Sequence, residues 1–173
     1  IETIDGEGWL HTGDVGHFDD DGYLFVTDRI KELIVTAGGK NVAPQPLENA
    51  LKTHEFIAQA MVIGDHRNFI SALIVPQAEV LESWAKENGI EDDVPVLCNH
   101  PQVIEHFKAV VDSKMTGFSR YESVRKFTLI PDEFSQELGE LTPTLKLKRR
   151  VLLSRYAEVI EGMYEDANGE AWV

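Results

Sequence analysis

Two hydrophobic periods alternate along this chain, and the switches between them mark its elements. His17-Phe18 and Tyr23-Leu24-Phe25-Val26 flank Asp19-Asp20-Asp21-Gly22, an Asp/Gly turn, which predicts a strand-turn-strand ending near Asp28. Leu33-Ile34-Val35-Thr36 is a short apolar run that stops at Ala37-Gly38-Gly39, a strand leading into a glycine loop. Pro44 and Pro46 open a short helix over about Leu47 to Thr53, with Leu47, Ala50 and Leu51 on one face. Ile57 to Gly64 and Phe69 to Val75 are β-rich runs separated by the polar turn Asp65-His66-Arg67-Asn68, which predicts an antiparallel pair.

The second half is more helical. Val80, Leu81, Trp84 and Ala85 recur with helical period up to Asn88-Gly89, and the acidic stretch Glu91-Asp92-Asp93 reads as solvated loop. A longer helix follows, with Asn99 as N-cap, Pro101 in the first turn and Val103, Ile104, Phe107, Val110, Val111 and Met115 inward. Val124 to Ile130 is a third strand, and Pro131 to Thr144 an exposed loop of a length that often carries function. The last helix spans about Lys148 to Met163, with Val151, Leu152, Tyr156, Val159 and Ile160 inward and a loose tail after Glu165.

Length and charge narrow the function classes. At 173 residues the chain holds one domain, or one domain plus part of another, but no large two-domain enzyme. Lysines and arginines number 16 against 30 aspartates and glutamates, a net charge of −14 that argues against nucleic acid or a polybasic membrane anchor. A lone cysteine, Cys98, excludes an internal disulfide framework and suits a reducing, cytoplasmic setting. No apolar run reaches the roughly 18 residues of a membrane span, which leaves any peripheral membrane association to a larger protein. The opening Ile1, without initiator methionine, signal peptide or capped element, reads as a cut from something longer.

Searches for familiar catalytic motifs return little. There is no G-x-S-x-G, no H-E-x-x-H and no EF-hand spacing, and Gly38-Gly39-Lys40-Asn41 is not a Walker A loop because Asn41 stands where Ser or Thr belongs. No Cys/His cluster has metal spacing, and the six histidines read as surface or turn residues.

Three segments are more specific: Gly8-Trp9-Leu10-His11-Thr12-Gly13-Asp14-Val15-Gly16, then Asp28-Arg29-Ile30-Lys31-Glu32-Leu33-Ile34, then Leu141-Thr142-Pro143-Thr144-Leu145-Lys146-Leu147-Lys148-Arg149. From about Glu7 to Arg150 the chain resembles the C-terminal part of the AMP-forming acyl-CoA synthetases, in the adenylate-forming superfamily that includes luciferases and peptide-synthetase adenylation domains. Many short-chain and aryl relatives carry Gly before the catalytic lysine, where this chain has Leu145. That residue and an added segment between Leu97 and Tyr121 look more like the long-chain fatty acid–CoA ligase branch.

The resemblance gives these residues roles that their types can support. Asp14 matches the ribose-binding aspartate, since a carboxylate accepts strongly from two hydroxyls; on its own it reads as a turn residue satisfying its backbone. Arg29 matches the arginine on the ribose and phosphate side, and otherwise pairs with nearby acids. Lys31 sits at the family's hinge, and without the resemblance is a solvated charge. Gly38 and Gly39 match the wall of the pantetheine tunnel, with Lys40 a point charge for a CoA phosphate, or simply a tight turn. Lys146 matches the adenylation lysine, a cation aimed where a carboxylate attacks the α-phosphate, while Lys148, Arg149 and Arg150 read as helix-start or surface cations.

The resemblance therefore implies an α/β (α+β) lid domain: a mainly antiparallel central sheet of about three strands flanked by helices and preceded by a β-hairpin. Residues 1–30 would be the end of a large nucleotide-binding domain, and 31–173 the C-terminal lid, hinged near Lys31. The implied reaction is fatty acid + ATP + CoA → acyl-CoA + AMP + diphosphate, with ATP, CoA and Mg2+ used by the full-length enzyme and none bound by the fragment, which lacks the phosphate loop. The implied partners are the missing N-terminal domain and the small-molecule substrates. Another adenylate former, an aryl-CoA ligase or peptide-synthetase domain, or a non-catalytic module keeping the fold, stays open. An acidic lid closing over ATP and CoA calls for acids on the outer face and the cations Arg29, Lys31, Lys40 and Lys146 towards the cleft.

Overall fold

The computed structural model describes residues 3–165, apart from the side chains of residues 27 and 28. Two strands, β1 (Asp14–Phe18) and β2 (Leu24–Arg29), form the expected antiparallel hairpin around the acidic turn, where Asp19 accepts from the backbone N–H of Tyr23 at 2.8 Å. A single 3-10 turn, Ile30–Glu32, carries Lys31 out of it. The apolar run then pairs with a strand that the sequence did not announce: β3 (Ile34–Val35) runs antiparallel to β4 (Asn41–Val42) around the two glycines. Two residues are too few to show a period.

Helix α1 (Pro44–Lys52) begins at Pro44, whose missing N–H costs nothing in a first turn. The central sheet follows, with order β5-β6-β7. Strands β5 (Ile57–Ile63) and β6 (Ile70–Pro76) are antiparallel, as their polar connection predicts. The third strand, β7 (Val124–Leu129), pairs with β6 in parallel, so the sheet is mixed; the other strand pairs in the described residues are antiparallel. A parallel neighbour needs a crossover, supplied by α2 (Ala78–Glu87), the short α3 (Val94–Leu97) and α4 (Pro101–Met115). Every residue of β6 is buried, which fits a run that is apolar except for Ser71.

The sheet alternation sorts two cores. Ala60, Val62, Ile70, Ala72 and Ile74 face α1, α2 and α4, and pack with Leu47, Leu81 and Phe107. Met61, Ile63, Leu73 and Val75 face the opposite side and pack with Phe134, Leu141, Leu152 and Ile160. The second layer holds the long connection after β7 and the helices α5 (Arg149–Arg155) and α6 (Ala157–Glu165).

Several expectations need correction. His100, not Asn99, caps α4, its ring Nδ1 accepting from the N–H of Gln102, while Asn99 donates back to Pro95. Ile104 is exposed, because the buried stripe runs through Val103, Phe107, Val110 and Val111. The connection 131–144 is not wholly exposed: Phe134, Glu140 and Leu141 are buried. The last helix is kinked at Tyr156, although i→i+4 bonds continue from Tyr156 to Leu152 and from Ile160 to Tyr156. Tyr156 turns its ring towards Phe134, 6.0 Å between centroids, and Val151 and Val159 lie partly in solvent. His106 is no surface histidine, since its half-buried ring packs at a tilt between Phe56 and Trp84. The tail after Glu165 lies outside the described residues. Among those residues no helix is long and apolar enough to cross a membrane.

Candidate functional site

The β1–β2 hairpin and the mixed-sheet domain after it meet in one polar cleft of about 620 Å³, lined by Asp14 and Arg29 from the hairpin, by Gln45, Asn49 and Lys52 from α1, and by Lys146. Residues far apart in the chain arrive there for different local reasons. Asp14 opens β1, its N–H held by Thr12 Oγ1 at 3.2 Å, and its partner in register is Arg29 at the end of β2. Arg29 Nε approaches Asp14 Oδ1 to 3.2 Å.

Lys146 stands on a small hairpin inside the connection that reads as irregular. Leu141 and Leu147 form an antiparallel bridge; Thr142 donates its N–H to the Lys146 carbonyl at 2.8 Å, and the Lys146 N–H returns to Thr142 Oγ1 at 3.0 Å. The turn requires a left-handed residue, and Leu145 takes it with φ 59°. The incoming arm is tied down at Glu140, which is buried, accepts from the Ser135 N–H and lies 3.1 Å from Arg155.

The outgoing arm is tied at Arg149, the first residue of α5. Its guanidinium donates to the Val62 carbonyl at 3.0 Å and to Glu48 Oε1 at 2.5 Å, and the same carboxylate oxygen accepts from the Val62 N–H at 2.8 Å. Arg149 is thus a helix-start residue, as read, but not a surface cation. Burial pushes the Glu48 carboxyl upward from its ordinary value, and the Arg149 charge pulls it back down.

The cleft lining carries Arg29, Lys52, Lys146 and Arg149 against Asp14, Glu32 and Glu48. Four cations against three acids give this lining a small positive excess, in a chain with fourteen excess acids. The four cations assigned to it from sequence do not all arrive. Arg29 and Lys146 line it, whereas Lys31 stays on the exposed 3-10 turn and Lys40 lies 5.7 Å from the centroid of the Tyr121 ring. Lys40 closes the glycine turn, its N–H donating to Thr36 Oγ1, and strand β4 lies between it and α1.

Lys52, Gln45 and Asn49 were missed. Their i, i+4, i+7 spacing is a polar stripe on α1, legible in principle, but only the apolar stripe of that helix had been followed.

The glycine turn is a second, separate surface. Gly39 has φ 71°, which its turn needs, and its N–H bonds to the Thr36 carbonyl at 2.8 Å. Gly38 is different: a Cβ there would meet nothing nearer than Thr36 Oγ1 at 3.9 Å, so the fold itself does not demand glycine. Among the described residues no group of three or more His, Cys, Asp or Glu side chains could hold a metal ion, so they offer magnesium no cage of their own.

This arrangement of a mixed-sheet domain beside a hairpin is matched by known proteins. Residues 31–168 fit the family model described as the AMP-binding enzyme C-terminal domain, and the chain belongs to that family. It is 45% identical over 160 residues to the long-chain-fatty-acid–CoA ligase FadD15 of Mycobacterium tuberculosis, covering 91% of this chain and 27% of that protein. It is 40% identical over 164 residues to the putative fatty-acid–CoA ligase fadD11 of the same species, covering 94% and 29%. Among solved structures, the A domain of carboxylic acid reductase from Segniliparus rugosus, in complex with AMP and a co-purified carboxylic acid, superposes with a TM-score of 0.79 at 26% identity, over 95% of this chain and 24% of that one. The chain thus spans between a quarter and a third of the length of the curated relatives it matches.

Proposed function

We propose that this chain is the C-terminal part of a long-chain fatty acid–CoA ligase that forms acyl-CoA, AMP and diphosphate from fatty acid, ATP and CoA in the cytoplasm. The observation that carries the reading is the meeting of Asp14, Arg29 and Lys146 in one cleft, in a chain 45% identical to a named ligase of this kind. Residues 1–30 would then complete a large nucleotide-binding domain, and the lid from residue 31 would turn about Lys31, which stands on the exposed turn between β2 and β3.

In the first half-reaction a fatty-acid carboxylate oxygen attacks the α-phosphorus of ATP and diphosphate leaves. Asp14 would accept from the ribose hydroxyls, Arg29 would flank the phosphates, and Lys146 would offset the charge gathered on the transferring phosphoryl group. In the second, the CoA sulfur attacks the acyl carbonyl and AMP leaves. The glycine turn would line the CoA path, a role that a glycine not required by the fold at Gly38 supports, with Lys40 available to a phosphate. Two separate surfaces serving two steps fit a lid that presents one and then the other. Magnesium would be held outside the residues described here.

The test is fatty-acid-dependent ATP–pyrophosphate exchange by the full-length protein, with and without Lys146→Ala. Loss of one charge-stabilising contact slows acyl-adenylate formation about 10²- to 10³-fold, with far less effect on the conversion of supplied acyl-adenylate to acyl-CoA. Equal loss in both steps overturns the role of Lys146, and no exchange with any fatty acid overturns the ligase reading.

A further inference from the structure

Strand β5 lies at the edge of the central sheet, paired on one side only, to β6. At Val62 its backbone N–H and C=O are taken by side chains, the N–H by Glu48 and the C=O by Arg149, so that the Glu48–Arg149 pair stands where the peptide of a fourth strand would be. Glu48 is only 5% exposed, and a buried carboxylate is retained only with partners such as these. Arg149 lies three residues beyond Lys146 and begins α5, so whatever fixes Arg149 fixes the outgoing arm of the Lys146 hairpin.

From these contacts we infer that Glu48 is a positioning residue for Lys146. It orients the Arg149 guanidinium against Val62, Arg149 holds the end of the 141–147 hairpin onto β5, and the hairpin delivers Lys146 into the cleft. The internal bonds of the hairpin, Thr142 to Lys146 and the Lys148 N–H to the Glu140 carbonyl at 2.7 Å, keep its shape but not its placement on the sheet. Without the anchor at its outgoing end it can pivot about the arm held at Glu140. A misplacement of about 1 Å at a charge-stabilising group can cost on the order of a hundredfold in rate. The inference rests on the reading of Lys146 as the adenylation lysine.

The test uses the full-length ligase and measures the two half-reactions separately. Glu48→Gln keeps the size and the acceptor for the Val62 N–H but removes the charge that aligns Arg149. Acyl-adenylate formation should fall by about ten- to a hundredfold in kcat with little change in KM for ATP, while thioester formation from supplied acyl-adenylate stays within about twofold. Arg149→Met should show the same split, and the double variant should be no slower than the slower single one, as residues acting as a unit require. Should Glu48→Gln fail to fold, Arg149→Lys, which keeps a cation beside Glu48 but loses the planar fork whose two nitrogens reach Glu48 and the Val62 carbonyl separately, reads the same split. Equal slowing of both half-reactions, or adenylation within twofold of wild type, overturns the role of Glu48. If Lys146→Ala slows adenylation alone in the same assay, the reading of Lys146 stands even then; if it does not, that reading has failed and Glu48 has nothing to position.

Discussion

Arg29 Nε lies 3.2 Å from Asp14 Oδ1 across the end of the β1–β2 ladder, where the two residues are partners in register. The pair is solvent-accessible, so as a structural contact it is worth under about 1 kcal/mol. Its meaning is placement: it sets a carboxylate acceptor and a guanidinium donor side by side in the cleft. Asp14→Asn in the full-length protein should raise the KM for ATP about tenfold or more, since a charge-assisted acceptor is replaced by a neutral one. The thermal midpoint should move by no more than about 4 °C. Steady-state kinetics and a melting curve on the same preparation check both halves.

Leu145 occupies the left-handed region that its turn demands, at a cost of about 1–2 kcal/mol for an ordinary residue. Leu145→Gly removes that strain but adds unfolded-chain entropy worth about 0.5–1 kcal/mol, so stability should hold or rise by up to about 1.5 kcal/mol. Leu145→Val, branched at Cβ, should lose about 1 kcal/mol or more. Chemical denaturation should rank the three Gly, Leu, Val; Val at or above Leu contradicts the strained turn.

His106 buries an Nε2 without a hydrogen-bond partner between Phe56 and Trp84. Burial, and secondarily the nearby His54, holds its pKa below the ordinary 6.5. The unfolded chain therefore takes up the proton first as pH falls. The stabilising contribution is full above about pH 6.5 and is lost progressively below it, down to the lowered folded value. His106→Phe should flatten this part of the stability–pH curve and raise stability near pH 6 by about 1 kcal/mol, as the orphan nitrogen disappears. Denaturation of both proteins from pH 5.5 to 7.5 is the comparison, and parallel curves would refute the assignment.

Cys98 is buried in the first core, and burial, with Asp132 adding to it, pushes its thiol up to about 11. Because the thiolate is the reactive form, an aromatic disulfide reagent at pH 7.5 should leave the folded protein unlabelled and react fully once denaturant unfolds it. Rapid labelling of the native protein would show that the site opens.

Much of the fold was legible because the relevant signals are local. The polar break 65–68 between two apolar runs fixed β5 and β6, and the stripe through Val103, Phe107 and Val110 fixed α4. What escaped depends on distant partners. Nothing in Val124–Leu129 says that its neighbour is parallel, and Asn41–Val42 becomes a strand only because Ile34–Val35 is beside it. The same division holds in the cleft. Asp14, Arg29 and Lys146 were readable through motifs, whereas Glu48 and Arg149 look like ordinary helix charges until both meet the backbone of Val62. A charged residue on a predicted helix carries no mark of burial when its counter-ion is about a hundred residues away.

The parallel pairing of β6 with β7 also has a consequence for biosynthesis. Ile70 cannot meet Val124 until all of α2, α3 and α4 has been made. At about 5–20 residues per second, the middle strand waits several seconds with one flank open. Throughout that interval its run of Ile70, Ala72, Leu73, Ile74 and Val75 leaves apolar side chains and one ladder of backbone groups without their final neighbours. The central sheet is therefore most exposed to chaperones, and to misassociation, while the crossover is still leaving the ribosome.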